Sequence, residues 1–378
     1  SAPHLYLPKM LTIVFPSLFD LSVGPTISFS QFEVIIMRYA QFGDSGIIVS
    51  KQAFGAMTFG EGILVGELVN KVDQYLADRM VHTCMDAGIN LFDTADMYTS
   101  GQSEVMLGKA LKAKRQDVLI ATKCGFRSGD SIISAGLSYR YILQSIENSL
   151  KRLETDYIDI FFLHIPDPWT PLEETARALE AAVQRGMIRY PAFSNYPAWK
   201  AQRLIDLQRQ QNFTPMVAAQ MYYSMLGRDL DGDYKDFLAA NGLGLMTWSP
   251  LASGFLSGKY SKDNPVPEDS RRAKFDFPPI DIDKGYRVVD VLRTIATKHQ
   301  ASIAQIALAW VMQQSFVSSV LIGATKLEQL DNNLKAAQLT LDQDDLGAIE
   351  ELTAIQPPYP AWMQPMGIDM LTSEALKQ

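Results

Sequence analysis

The chain has 378 residues, enough for one large barrel or two ordinary domains, and 47% of them are hydrophobic, which supplies a sizeable core. A net charge of −8 and a pI near 5.1 weigh against a nucleic-acid or membrane-surface binder, since either favours an excess of Lys and Arg. Two cysteines, Cys84 and Cys124, are too few for a disulfide framework, and the histidines show no HExxH pattern. No bound metal and a reducing cytoplasm are therefore expected.

Residues 1–36 are apolar but interrupted by Pro8, Pro16, Asp20 and Pro25, so they hold no run long enough to span a bilayer. Residues 9–19 loosely imitate a signal peptide without a convincing cleavage site. We expect 1–36 to be an extension outside the folded unit and 37–378 to form one domain. Residues 38–50 read as a β-hairpin turning at Gly43-Asp44-Ser45-Gly46, placed to cap the bottom of a barrel. Buried strands are predicted near 52–57, 89–92, 118–122, 157–163, 188–193, 216–221, 243–247 and 319–322. Helices alternate with them. In 72–87, Val72, Leu76, Met80 and Cys84 recur four apart, and in 138–153 Ile142, Ile146, Leu150 and Leu153 share a face. Eight such units over about 300 residues predict an α/β fold of the (β/α)8 TIM barrel type, with an open doubly wound sheet as runner-up. Residues 257–283 form a polar stretch too long for a plain connection, as functional loops often are.

Three apolar runs, GINLFDTADMY (88–98), DVLIATKCG (117–125) and DYIDIFFLHIPDP (156–168), deliver Asp93, Tyr98, Lys123 and His164 at or just beyond their C-terminal ends. A parallel barrel builds its active site there. A phenol has a reference pKa of about 10, so it needs a neighbouring positive charge to act as an acid near neutrality. Lys123 is placed to supply it, Asp93 to hold the ammonium, and His164 to orient a substrate oxygen. Each residue also has an ordinary structural role open to it: core tyrosine, snorkelling lysine, helix cap or satisfied histidine.

LFDTADMYTSGQSEVMLGKAL, IATKCG and DYIDIFFLHIPDP resemble the signatures of the aldo-keto reductase superfamily, and the likeness runs from Met37 to near Trp362. The resemblance implies a barrel that binds a nicotinamide cofactor, usually NADPH, without a Rossmann domain, using Asp93, Tyr98, Lys123 and His164 as its catalytic tetrad. In keeping with it, the nearest approach to GxGxxG, Gly242-Leu243-Gly244, lacks a third glycine and precedes a strand. The resemblance further implies that Ser194 and Asn195 grip the nicotinamide carboxamide, that Gln220 completes this recognition, and that Tyr223 lies beneath the ring. Ser194–Pro197 is equally a turn and helix cap. Trp248-Ser249-Pro250-Leu251-Ala252-Ser253-Gly254, followed by Lys259, resembles the family's SPLxxGxLxGKY stretch, whose small residues admit backbone N–H groups to a pyrophosphate. Arg271 is expected to close over the cofactor. Gly55, Met57 and Thr58, at the end of the first strand, are expected to belong to the same site. Thr325 and Lys326, with Arg271, are placed to hold a ribose 2′-phosphate, which favours NADP over NAD, and Gly323 belongs to the same cofactor-binding segment. Gln329, Asn332 and Asn333 would reach the adenine, although the family often has an acidic residue at the position of Asn332.

Pro191 departs from the family pattern. Proline cannot donate to a ladder, so the fifth strand should be bent or locally unpaired. Residues 57–64, Phe126, Trp169, Tyr359, Trp362 and Met363 are expected to line a pocket suited to an apolar or aromatic carbonyl or alcohol substrate. The main functional expectation is an NADPH-dependent carbonyl reductase or alcohol oxidoreductase. The alternative is an NADP-holding, redox-sensing regulatory subunit with little turnover, and a third is a Schiff-base barrel with Lys123 as nucleophile. Substrate identity and oligomeric state stay open.

Overall fold

The computed structural model describes residues 37–65, 68–265, 267 and 270–376, and the first elements among them form the expected hairpin. The extension expected over 1–36 lies outside the described residues. β1 (Tyr39–Gln41) pairs antiparallel with β2 (Ile48–Ser50). The turn between them needs glycine: Gly43 has φ +63, and a Cβ there would stand 2.3 Å from the Gly242 carbonyl oxygen. β3 (Gln52–Gly55) is the first barrel strand. An unanticipated second hairpin, β4 (Gly60–Val65) with β5 (Leu68–Val72), follows it and leads into α1 (Gln74–Asp86).

Strand and helix then alternate through β6 (Leu91–Asp93), α2 (Gln102–Leu111), β7 (Leu119–Cys124), α3 (Tyr139–Leu153), β8 (Ile158–Leu163) and α4 (Leu172–Gln184). They continue through β9 (Ile188–Ser194), α5 (Ala198–Gln211), β10 (Ala218–Tyr222), α6 (Asp233–Ala240) and β11 (Gly244–Trp248). The long polar stretch contributes α7 (Arg271–Lys274), and α8 (Ile282–His299) and α9 (Ile303–Gln313) complete the crossover to β12 (Ser319–Ile322). α10 (Leu327–Leu334), α11 (Gln343–Thr353) and α12 (Met370–Ala375) end the chain. β3 and β6 to β12 close a parallel barrel in chain order, with β12 pairing back onto β3. All eight predicted strands are barrel strands, and the fold is a (β/α)8 barrel.

Side-chain caps start several of the helices at positions their sequences favour. Ser138 caps α3 by accepting from the Tyr141 N–H, and Ser302 with Gln305 forms a reciprocal box at α9. On α3, Ile142, Ile146 and Leu153 are buried, as the spacing predicted. Inside the cylinder, Ala53, Leu91, Ala121, Ile160 and Phe162 pack with Phe42, Ile47 and Val49 of the first hairpin, which plugs the N-terminal end. Asn90, just before β6, fixes the plug: its side chain donates to the Ile48 carbonyl at 2.9 Å and accepts from the Ser50 N–H at 2.8 Å.

Pro191 does not break β9. The strand pairs with β8 across Phe161–Pro191 and its neighbours. The Pro191 carbonyl accepts from Val217, so its ring nitrogen faces β10, where pairing is confined to Phe193–Ala219 and Ser194–Gln220. The missing donor is therefore absorbed on one side of the strand, and the expected loss of pairing is limited to that side. Among the described residues, no helix is long and apolar enough to cross a membrane, and no group of three or more His, Cys, Asp or Glu is arranged to hold a metal ion.

Candidate active site

β6 and β7 bring Asp93 and Lys123 to the same end of the barrel, and His164 follows β8 directly, its N–H donating to the Cys124 carbonyl at 2.8 Å. Lys123 is fully buried, and its Nζ lies 2.6 Å from Asp93 Oδ2 and 2.6 Å from the Thr94 carbonyl. Gln220 Nε2 donates to the other Asp93 oxygen at 2.8 Å. Tyr98 opens the 3-10 turn Tyr98–Gly101, with its ring centroid 5.2 Å from the ammonium and its phenol within hydrogen-bonding reach of it. The Tyr98 and His164 rings meet edge to face at 5.9 Å, and Phe126 covers His164 on another side at 4.8 Å. The four residues expected to form the tetrad are thus brought together.

Burial opposes the charge on Lys123, but Asp93 and Tyr98 together outweigh it and hold the ammonium above its ordinary value. A protonated, ion-paired lysine is a poor nucleophile, which works against the Schiff-base reading. Burial pushes the Tyr98 phenol up, and the pull of Lys123 does not fully offset it, so the phenol rests protonated near neutral pH. Burial, then the nearby Lys123 charge, drives His164 well below its ordinary value, which leaves a neutral imidazole. Its Nδ1 is buried and has no partner within the chain. Such an atom is costly unless a ligand or water satisfies it.

Around this centre, Ser194 Oγ donates to the Gln220 carbonyl at 2.7 Å. The Asn195 amide donates to the His164 carbonyl at 2.9 Å and accepts from Trp248 Nε1 at 3.1 Å. Trp248 stacks on Phe277 at 5.6 Å and leans on Tyr222 at 5.0 Å. The loop after β11, which includes Pro250 and Leu251, carries positive φ at Ser249, Ala252, Ser253 and Gly254, and the N–H groups of the last three bond back to Ser249 and Leu251. Lys259 is exposed beside Gly254. Arg271 reaches across the mouth, its Nη2 3.8 Å from Met57 Sδ, while its buried Nε has no partner within the chain. Thr58, after Gly55, donates to the Ala324 carbonyl at 2.9 Å, which joins the loop after β3 to the one after β12. Gly323, Thr325, Lys326 and Gln329 are exposed together there. The unpartnered Arg271 Nε and the exposed cationic edge of Lys259 and Lys326 suit an anionic dinucleotide.

Several expected positions lie elsewhere. Tyr223 is fully buried outside the barrel, stacked on Trp310 at 5.6 Å with its hydroxyl on Asp231 at 2.7 Å, and cannot lie under a nicotinamide. Strand alternation gives that direction to Tyr222 instead. Asn332 donates to Ser302 at 3.0 Å and accepts from Gln305 at 3.0 Å, and the largely buried Asn333 donates to the Gly323 carbonyl at 3.4 Å, so both are committed within the chain. Tyr359, Trp362 and Met363 are exposed on the C-terminal tail, and Trp169 is 89% exposed at the rim.

One group went unnoticed in the sequence. Asp96 is buried, accepts from Ser145 Oγ at 2.9 Å, and has an unpartnered Oδ1. Burial, with Glu104 nearby, pushes it up to about 7. The second carboxylate in DTADMY was the signal for it.

The sequence model of the aldo/keto reductase family matches residues 52–354. The chain is 36% identical over 309 residues to a probable voltage-gated potassium channel subunit beta of Oryza sativa subsp. japonica, across 79% of this chain and 91% of that protein. It is 34% identical over 338 residues to a probable voltage-gated potassium channel subunit beta of Arabidopsis thaliana, across 86% of this chain and 99% of that one. A closed parallel barrel with Asp93, Tyr98, Lys123 and His164 gathered at one end defines a β/α-barrel class of protein. The chain belongs to the aldo/keto reductase family.

Proposed function

We propose that the chain is an NADP(H)-dependent oxidoreductase that interconverts a carbonyl compound and an alcohol. The observation that carries this reading is the buried Lys123 ammonium, 2.6 Å from Asp93, set against the Tyr98 phenol opposite a neutral His164. A reduced nicotinamide, when bound, supplies a hydride to the carbonyl carbon. Tyr98 gives its proton to the carbonyl oxygen, and Lys123 stabilises the phenolate left behind. The neutral imidazole of His164 has one nitrogen to donate to that oxygen, which orients the substrate. In oxidation Tyr98 takes the proton back. Ser194, Gln220 and Trp248 would hold the nicotinamide end, with Tyr222 beside Trp248. Ser249 to Gly254, Arg271 and Lys259 would hold the pyrophosphate, and Thr325 and Lys326 the 2′-phosphate. Phe126, Ile132 and Ile133 on the loop after β7 give the mouth an apolar rim, which favours an aromatic or aliphatic carbonyl. Buried, unpaired Cys84 and Cys124 accord with a reducing cytoplasm.

A second reading rests on the two relatives named as potassium channel subunits, which the chain matches over nearly their whole length. On it, the same site holds NADP as a redox sensor and the partner is a channel protein. Steady-state loss of NADPH absorbance over a panel of aromatic and aliphatic aldehydes separates the two. Turnover supports the first reading. Tight NADPH retention without turnover, together with co-purification of a channel protein, supports the second.

A further inference from the structure

The turn that carries Tyr98 is wound in an unfavourable hand. Thr99 (φ 46, ψ 47), Ser100 (φ 54, ψ 36) and Gly101 (φ 90, ψ −5) are three consecutive residues at positive φ. Glycine adopts this form freely, whereas a β-branched threonine is an outlier in it and persists there only when its surroundings over-determine it.

What holds Thr99 is visible. It is 3% exposed, and its hydroxyl donates to the Phe59 carbonyl at 3.1 Å. Gly60, at φ +116, provides the seat: a Cβ there would stand 2.7 Å from Thr99 Cγ2 and 2.8 Å from Thr99 Cβ. Gly60 and Phe59 in turn pair with Val72, at the base of the β4–β5 hairpin. On the outer side Gln102 grips the Glu61 backbone, accepting from its N–H at 3.1 Å. Ahead of the turn, Tyr98 N–H donates to the Ala95 carbonyl at 3.2 Å and Asp96 N–H to the Lys123 carbonyl at 3.1 Å. Tyr98 therefore sits between a segment tied to β7 and a strained turn tied to the hairpin.

We infer that Thr99 is a positioning residue: seated on Gly60 at the base of the β4–β5 hairpin, it holds the Tyr98 hydroxyl against Lys123 by keeping the turn in its left-handed form. The inference rests on the proposed role of Tyr98 as proton donor. If the Phe59 anchor is lost, Thr99 relaxes toward right-handed backbone and the phenol swings off Lys123, a displacement to which proton transfer is steeply sensitive.

The test compares Thr99→Val, which keeps the shape and removes the hydroxyl, with Thr99→Ser, which keeps the hydroxyl, in the full chain with NADPH and an aldehyde. Thr99→Val should lower kcat about 30-fold with cofactor affinity by fluorescence unchanged, and Thr99→Ser should recover most of it. Hydrogen–deuterium exchange over residues 95–102 reads the same clamp without turnover, rising in Thr99→Val and not in Thr99→Ser. Wild-type kcat and wild-type exchange in Thr99→Val would overturn the inference, as would a kcat loss matched by an equal loss of cofactor affinity. An unmodified chain without turnover, whose exchange still rises in Thr99→Val, would sink the oxidoreductase reading and leave the clamp standing.

Discussion

At the N-terminal end of the barrel, Phe42, Ile47 and Val49 fill the opening and Asn90 uses both its donor and its acceptor to fix the plug. At the C-terminal end, His164 Nδ1, Asp96 Oδ1 and Arg271 Nε are buried without partners, and positive φ collects at Thr99, Asn195, Ser249, Ala252 and Ser253. The same eight strands bound both ends, so the difference comes from the loops. The N-terminal opening is filled by its own side chains, and the C-terminal end leaves several polar atoms open to a ligand.

Substitutions at the two ends should separate stability from chemistry. Tyr98→Phe keeps the ring and removes the proton, so carbonyl reduction should fall about 10³-fold while NADPH affinity stays within about twofold. Steady-state kinetics and fluorescence titration together check this. Phe42→Ala, at the plugged end, should do the reverse and cost about 3–5 kcal/mol of unfolding free energy in urea, with kcat little changed below the transition.

Asp96 sharpens the contrast through pH. In the folded chain it keeps its proton up to about 7, whereas the ordinary value is 3.8. The folded state therefore binds the extra proton between those values, so stability falls as pH rises through that window and levels off above it. Between about pH 5 and pH 8 the native chain should lose roughly 2 kcal/mol more than Asp96→Asn does, as urea midpoints at the two values would show. The smallest effect belongs to exposed Lys326. Lys326→Ala should weaken NADPH binding about fivefold and NADH binding hardly at all, and equal losses for both would remove Lys326 from the 2′-phosphate site.

Much of this was legible in the sequence because its signals are local. Uniform apolar runs marked all eight barrel strands, and polar residues at their ends marked Asp93, Lys123 and His164. The β4–β5 hairpin was missed because GEGILVGELVNKV shows no clean alternation and reads as pocket lining, so the role of Gly60 beneath Thr99 was invisible. Tyr222 and Tyr223 are adjacent, and only the strand register decides which one faces the mouth. Asn332 carries the right chemistry for adenine, but Ser302 and Gln305, distant in sequence, occupy it. Asp96 was overlooked because its raised pKa comes from burial and from Glu104, neither of which a motif encodes.

Pro191 leaves one seam of the cylinder short of a donor. Between β9 and β10 lateral pairing is limited to two residue pairs near the top, and Ser194 Oγ clasps the Gln220 carbonyl across that same gap. Both residues are proposed to grip one end of the dinucleotide, so the bound ligand would act as a staple. It would slow the opening of the wall along this seam.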